Sequence, residues 1–305
     1  MRNIPLGTSG LSVPVVAVGC MRMNSLNAPQ AEAFVQTALE LGMRFFDHAD
    51  IYGGGRCEEI FAQALRDVPR DSVILQSKCG IRPGQYDFSQ EHILASVEGI
   101  LGRLRTDYLD VLLLHRPDAL MEPEEVAAAF DALHTSGKVR HFGVSNFNAM
   151  QLQLLQRYVN QPLAVNQLQF GLGHAPMLAQ GTNVNMFNDA SPQRDGSVLD
   201  YCRLQGVTIQ PWSPFQFRFD QGRGTFIGSE EFAALNETLE ELAPQYEADA
   251  TALALAWILR HPAKMQPIVG TMNLERLRSC ARAADITLRR EDWYALYLAA
   301  GNPLP

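Results

Sequence analysis

Short apolar runs rich in Val, Ile and Leu alternate along the chain with longer segments whose apolar residues recur every three or four positions. The runs predict strands over 15–19, 44–47, 73–78, 109–114, 141–144, 163–166, 208–211 and 266–269. The periodic segments predict helices over 30–41, 58–65, 90–104, 123–136, 149–158, 198–205, 251–260 and 274–284. In the 123–136 segment, Val126, Phe130 and Leu133 share one helical face, and Gly137 supplies the stop. The run "LDVLLL" does not alternate, as expected of a strand buried on both faces.

Strands alternating with helices imply parallel pairing through right-handed crossovers. Eight such units suggest a closed (β/α)8 TIM barrel, with an open sheet as the alternative on pattern alone. Residues 1–13 predict a short N-terminal β-hairpin, and 290–300 an extra C-terminal helix. The longest irregular stretch is 171–196, and a Gly-rich loop at 220–228 follows the seventh strand. Without an internal repeat or an interdomain linker, the expectation is one barrel domain over 1–305.

Composition narrows the function classes. The 305 residues are 47% hydrophobic and 19% charged, enough for a large core. A formal charge of -8 argues against a nucleic-acid partner, because no basic excess exists to displace counterions. The five cysteines are dispersed and form no CxxC pair, which predicts reduced thiols in a cytoplasmic protein and no zinc cluster. Pro5, Gly7, Gly10 and Pro14 interrupt the apolar N-terminus, so neither a signal peptide nor a membrane span is expected.

In a parallel barrel, reactive groups gather at the C-terminal ends of the strands. Those ends carry Asp47 with Tyr52 in the loop beyond, then Lys78, His115, Ser145–Asn146, Asn166–Gln167 and Trp212–Ser213. Among the nearby residues, His48 and Asp50 read as turn or supporting groups, and Glu58 and Glu59 as first-turn helix acids. A metal-dependent hydrolase using Asp47, His48, Asp50 and His115 would want an HxH pair at a strand end, and the chain has none.

The segments "FFDHADIYGGGRCEEIFAQAL", "ILQSKCGI", "LDVLLLHRPD", "GKVRHFGVSNF", "AVNQLQF", "IQPWSPF" and "IVGTMNLERL" follow one another in order. In these pieces the chain resembles the aldo-keto reductase family over nearly its whole length. It is most similar to the bacterial branch in which His-Arg-Pro-Asp follows the fourth strand. The resemblance implies a (β/α)8 barrel that reduces carbonyls with NADPH, and a tetrad of Asp47, Tyr52, Lys78 and His115. Tyr52 would be the general acid. An ammonium at ~4 Å and an effective dielectric of ~20 attracts a phenolate by about 4 kcal/mol, so Lys78 is expected to lower the phenol pKa. Asp47 would hold Lys78, and His115 would donate to the substrate oxygen.

The same resemblance implies cofactor contacts. Ser145, Asn146 and Gln167 would bind the nicotinamide carboxamide, and Trp212 would stack on the ring. Ser213 and Phe215 would line the pyrophosphate groove. Gly270, Thr271, Asn273 and Arg276 would hold the adenosine end, with Arg276 suited to a phosphate. Gly270 stands where many relatives have Lys, and Ser279 and Cys280 where they have Glu and Asn. A mouth lined by Met21, Met23, Tyr52, His115 and Trp212 predicts a partly apolar small-molecule carbonyl: an aldehyde, ketone or diketone. No nucleic acid, membrane or metal partner is expected, and the chain should be a monomer or weak homo-oligomer. The alternative is an NADPH-binding regulatory subunit with little turnover.

Overall fold

Eight parallel strands close on themselves in chain order. They are Ala17–Gly19, Phe45–Asp47, Ile74–Cys79, Leu109–Leu114, Val139–Ser145, Leu163–Gln169, Thr208–Trp212 and Ile268–Val269. The ring shuts where Ile268 pairs with Ala17 and Val269 with Val18. The computed structural model describes residues 1–182, 197–217 and 224–302. Parts of the two long loops, 183–196 and 218–223, and the last three residues, 303–305, therefore lie outside the described residues.

Burial on both faces explains why the strands do not alternate between apolar and polar residues. Every residue of Ile74–Cys79 and of Leu109–Leu114 is buried, half of them inside the barrel and half under the helices. The helices begin where short polar side chains can cap them. Asn27 with Gln30, and Asn148 with Gln151, form reciprocal capping boxes, while Ser89 and Asp249 accept single backbone N–H groups. Ahead of the barrel, Asn3–Pro5 pairs antiparallel with Ser12–Pro14 as the expected hairpin. The C-terminal helix, Arg290–Ala299, is anchored by Trp293, which lies parallel to Trp257 at 4.8 Å. Each indole N–H donates to the other residue's carbonyl.

Two helices depart from the sequence reading. Pro176–Thr182 is helical inside the stretch read as irregular. Ala233–Leu242 adds a second helix between the seventh and eighth strands. Its buried Leu235, Leu239 and Leu242 recur at i, i+4 and i+7, but a scheme of one helix per crossover leaves no place for it. Among the described residues, no helix is long and apolar enough to cross a membrane.

The fifth strand shows how tightly the wall is built. A Cβ on Gly143 would lie 2.6 Å from the Val165 carbonyl oxygen and 2.8 Å from Leu113 Cδ2. Gly143→Ala should therefore destabilise the protein by about 1–3 kcal/mol, because packed strands have no room to relax. Urea unfolding measures this, and an unchanged midpoint would contradict it.

Candidate active site

Lys78 sits in the third strand and Asp47 at the end of the second, and both are almost completely buried. Lys78 Nζ is 2.8 Å from both carboxylate oxygens of Asp47. It also donates to the His48 carbonyl at 2.7 Å and to the Tyr52 hydroxyl at 3.2 Å. The three N–H donors of the ammonium thus have three residues to serve. Tyr52 opens the short turn Tyr52–Gly55, in which Gly53, Gly54 and Gly55 all have positive φ. At Gly55 a Cβ would also lie 2.7 Å from Arg103 Cδ, so the turn that carries Tyr52 needs glycine for space as well as for φ. His115 follows the fourth strand, donates its backbone N–H to the Cys79 carbonyl, and sets its ring edge-on to Tyr52 with centroids 6.1 Å apart.

Burial and charge set the protonation of this group. Burial pulls the Lys78 ammonium down, but Asp47 and then Tyr52 outweigh it and leave the pKa above the ordinary lysine value. Burial raises the Tyr52 phenol, and the nearby ammonium only partly offsets that. The expected lowering of the Tyr52 pKa is therefore not what burial and the neighbouring charges together produce. Burial, then the charges of Lys78 and Arg116, hold His115 well below the usual histidine value, so its ring is neutral near pH 7.

The residues expected at the nicotinamide also come together. Ser145 Oγ donates to the Gln167 carbonyl at 3.1 Å, and Asn146 Nδ2 donates to Ser145 Oγ at 2.7 Å. Trp212 Nε1 donates to Asn146 Oδ1 at 3.2 Å, and the Arg116 guanidinium lies 5.6 Å from the Trp212 ring centroid. Asn146 and Ser213 both adopt positive φ, an uncommon conformation for such residues that clusters at functional sites. Phe215 packs toward Phe226, with ring centroids 6.5 Å apart. At the end of the eighth strand, Thr271 Oγ1 accepts from the Asn273 N–H. Asn273 in turn caps the helix Leu274–Arg282 by accepting from the Arg276 N–H, and the Arg276 side chain is exposed.

Other residues of the same stretches face elsewhere. His48 is fully buried with its ring 4.5 Å from that of Phe61, and neither ring nitrogen has a partner. Burial, helped by Lys78, lowers its pKa to about 3. Asp50 is pushed up to about 7, first by burial and then by the Glu58 carboxylate. Glu58 lies in the first turn of its helix, as expected, but is fully buried there, accepting from Ser77 Oγ at 2.9 Å and Arg103 Nε at 2.7 Å. Met23 belongs to the core rather than the mouth, whereas Met21 is exposed. Among the described residues, no group of three or more His, Cys, Asp and Glu converges as a metal site.

Four residues at the site went unnoticed in the sequence. Gln76, Gln210 and Gln266 are fully buried and hydrogen-bonded in a chain that starts at Asp47, and Arg22 Nη1 donates to the Gly270 carbonyl at 3.0 Å. Period-two spacing was the available signal for two of them: Gln76 is two positions before Lys78, and Gln210 two before Trp212. Arg22 had no local signal, because its partner is 248 residues away.

Comparison with known proteins gives one consistent result. The family model described as "Aldo/keto reductase family" matches residues 15–297. The chain is 37% identical over 315 residues to oxidoreductase YdhF of Escherichia coli (strain K12), covering 98% of each chain. It is 37% identical over 281 residues to a 6-dehydroglucose reductase of Agrobacterium fabrum, covering 88% of this chain and 87% of that one. Among solved structures, the thermostable aldo-keto reductase Tm1743, in complex with the inhibitor epalrestat, superposes with a TM-score of 0.79 at 28% identity. The match covers 98% of this chain and 100% of that one.

The buried, neutral His48 makes stability depend on pH. Its folded pKa lies below its unfolded one, so its neutral form costs nothing in protonation above about pH 6.5. Stability is then lost as pH falls from about 6.5 towards about 3, because only the unfolded chain takes up the proton. His48→Met should remove that loss, giving a gain on the order of a few kcal/mol at pH 4 relative to pH 8. Urea denaturation at the two pH values checks it, and equal effects at both would refute it.

Proposed function

The chain belongs to the aldo/keto reductase family and is a nicotinamide-dependent oxidoreductase, and from that premise we propose that it reduces a small-molecule carbonyl with NADPH, using Tyr52 as the acid. The observation that carries the proposal is the Lys78 ammonium held between the Asp47 carboxylate and the Tyr52 hydroxyl.

The residues at the strand ends suit this cofactor. Gln167, Ser145 and Asn146 offer the donors and acceptors that an amide group requires, and Trp212 a flat aromatic surface. The N-terminus of the helix Leu274–Arg282, with Thr271 and Arg276 beside it, suits a phosphate. When bound, the reduced nicotinamide supplies the hydride.

The protein's part is the proton. Tyr52 keeps its proton in the resting site because burial disfavours the phenolate. As negative charge grows on a substrate oxygen, Tyr52 transfers that proton, and the Lys78 ammonium at 3.2 Å stabilises the phenolate as it forms. Lys78 thus acts mainly on the charge that develops, not by making a low-pKa phenol in advance. Asp47 keeps Lys78 charged and in place. His115, neutral at pH 7, donates a hydrogen bond to the carbonyl oxygen and orients it.

We assign Arg22 to the 2'-phosphate of NADPH. A lysine at position 270 is absent, and the Arg22 guanidinium comes across to the backbone of that same residue. A Cβ at Gly270 would lie 3.1 Å from Arg22 Nη1, so the glycine leaves room for the arginine. Together with Arg276, it restores a second cation to that end of the groove.

Three experiments test these assignments. NADPH oxidation with a panel of aldehydes, ketones, diketones and oxidised sugars should proceed, the last because one relative is a 6-dehydroglucose reductase. Tyr52→Phe should cut turnover by about 10²–10⁴-fold and leave the NADPH Kd nearly unchanged. Unchanged turnover in that variant would remove Tyr52 as the acid, and NADPH binding by the wild type without turnover would favour the regulatory subunit. Arg22→Ala should raise the NADPH Kd by roughly tenfold, as for loss of a charged hydrogen bond, and leave NADH almost untouched. Equal weakening of both cofactors would place Arg22 elsewhere.

A further inference from the structure

A chain of buried glutamine side chains crosses the barrel interior. Gln266 Nε2 donates to the Pro14 carbonyl at 2.7 Å, and Gln210 Nε2 donates to Gln266 Oε1 at 2.8 Å. Gln210 Oε1 then accepts from Gln76 Nε2 at 2.7 Å and from Gln167 Nε2 at 3.3 Å. Both of those nitrogens also donate to Asp47 Oδ1, at 2.6 Å and 3.2 Å. Gln76, Gln210 and Gln266 are 0% exposed, so water does not compete for these bonds.

The direction of the chain is forced from both ends. A carbonyl oxygen can only accept, so Gln266 must turn its nitrogen to Pro14 and its oxygen to Gln210. Gln210 must then donate to Gln266 and offer its oxygen to Gln76 and Gln167. At the other end an ionised carboxylate can only accept, so both amides must turn their nitrogens to Asp47. One flipped amide would set two like groups against each other, a costly contact where nothing else is available. The arrangement leaves Gln76 Oε1 buried without a partner. That orphan acceptor follows directly from aiming the Gln76 nitrogen at Asp47.

From this geometry we propose that Gln210 and Gln266 are positioning residues for the reaction. They hold Gln76 and Gln167 in the one amide orientation that braces Asp47, and through Asp47 they set Lys78 and Tyr52. The N-terminal hairpin, which supplies Pro14, is the far anchor of this brace. Gln167 belongs to both arms: with its nitrogen held by Asp47 and Gln210, it has its oxygen left to offer to a bound amide. One hub, Gln210, therefore keeps the proton donor and the cofactor-facing amide in a common frame. This inference rests on Tyr52 being the acid.

Gln266→Met tests it, because residue 266 touches no group assigned to the reaction, while its loss frees Gln210 to turn over. The expected result is a fall in kcat of about tenfold, with KM and the NADPH Kd within about twofold, as for a small misplacement of reacting groups. A second readout needs no turnover: the ultraviolet pH titration of the Tyr52 phenol, taken as the difference from a matching Tyr52→Phe protein, should shift its midpoint. If Gln266→Met does not fold, Gln266→Asn replaces it, being polar but one methylene too short to span Gln210 and Pro14. A lower melting temperature with kcat and the Tyr52 titration both unchanged would overturn the proposal and leave the glutamines as packing. If the wild type reduces no carbonyl, the functional reading fails first, and the titration alone still decides whether the chain reaches Tyr52.

Discussion

The buried ion pair of Lys78 and Asp47 is the constraint around which the rest of the site is arranged. Lys78 is 0% exposed and Asp47 2% exposed. Removing two charges from water is expensive, and their mutual attraction compensates only when the remaining donors and acceptors are also served. Here they are: the His48 carbonyl and Tyr52 hydroxyl complete the ammonium, and Gln76 and Gln167 complete the carboxylate. The polar interior of this barrel is a consequence. An apolar filling, usual for the fold, would leave Asp47 short of donors.

The same low-dielectric setting decides the protonation of the two groups that would meet a substrate. Tyr52 is held as a phenol and His115 as a neutral imidazole, both chiefly by burial. These shifts run in opposite directions because burial penalises whichever form carries charge. A pairwise estimate of Lys78 acting on Tyr52 anticipates a lowered phenol pKa, and it errs by leaving out both the burial and the compensating Asp47. In the proposed reaction Lys78 acts as a charge waiting for the phenolate rather than one that has already produced it.

Two faces emerge from one stretch of chain. Asp47 and Tyr52 turn inward to Lys78, whereas His48, Asp50 and Glu58 turn to the layer between barrel and helices. Alternation along the strand accounts for Asp47 and His48. The outward group has its own logic: Arg103 reaches over Gly55 to neutralise the buried Glu58, which also holds Ser77, the neighbour of Lys78. The turn that presents Tyr52 is thereby tied to the third strand from behind.

Much of this was legible in the sequence. Eight apolar-rich runs separated by helical periodicity imply a parallel sheet, since strands buried on both faces read that way, but its closure into a barrel is decided only where Ile268 and Val269 pair with the first strand. Chemistry-bearing residues placed just after those runs mark the mouth, and Asp47, Lys78, His115, Ser145, Gln167 and Trp212 stand where that rule puts them. The tertiary structure alone decided what joins residues across the barrel. The bond from Gln76 to Gln210 spans 134 positions, and that from Arg22 to Gly270 spans 248. The direction of each glutamine amide depends on acceptor-only groups at the two ends of a chain of contacts, and the protonation of Tyr52 depends on its burial together with the charges of Lys78 and Asp47. Neither quantity belongs to any local run of residues, so no local pattern records it.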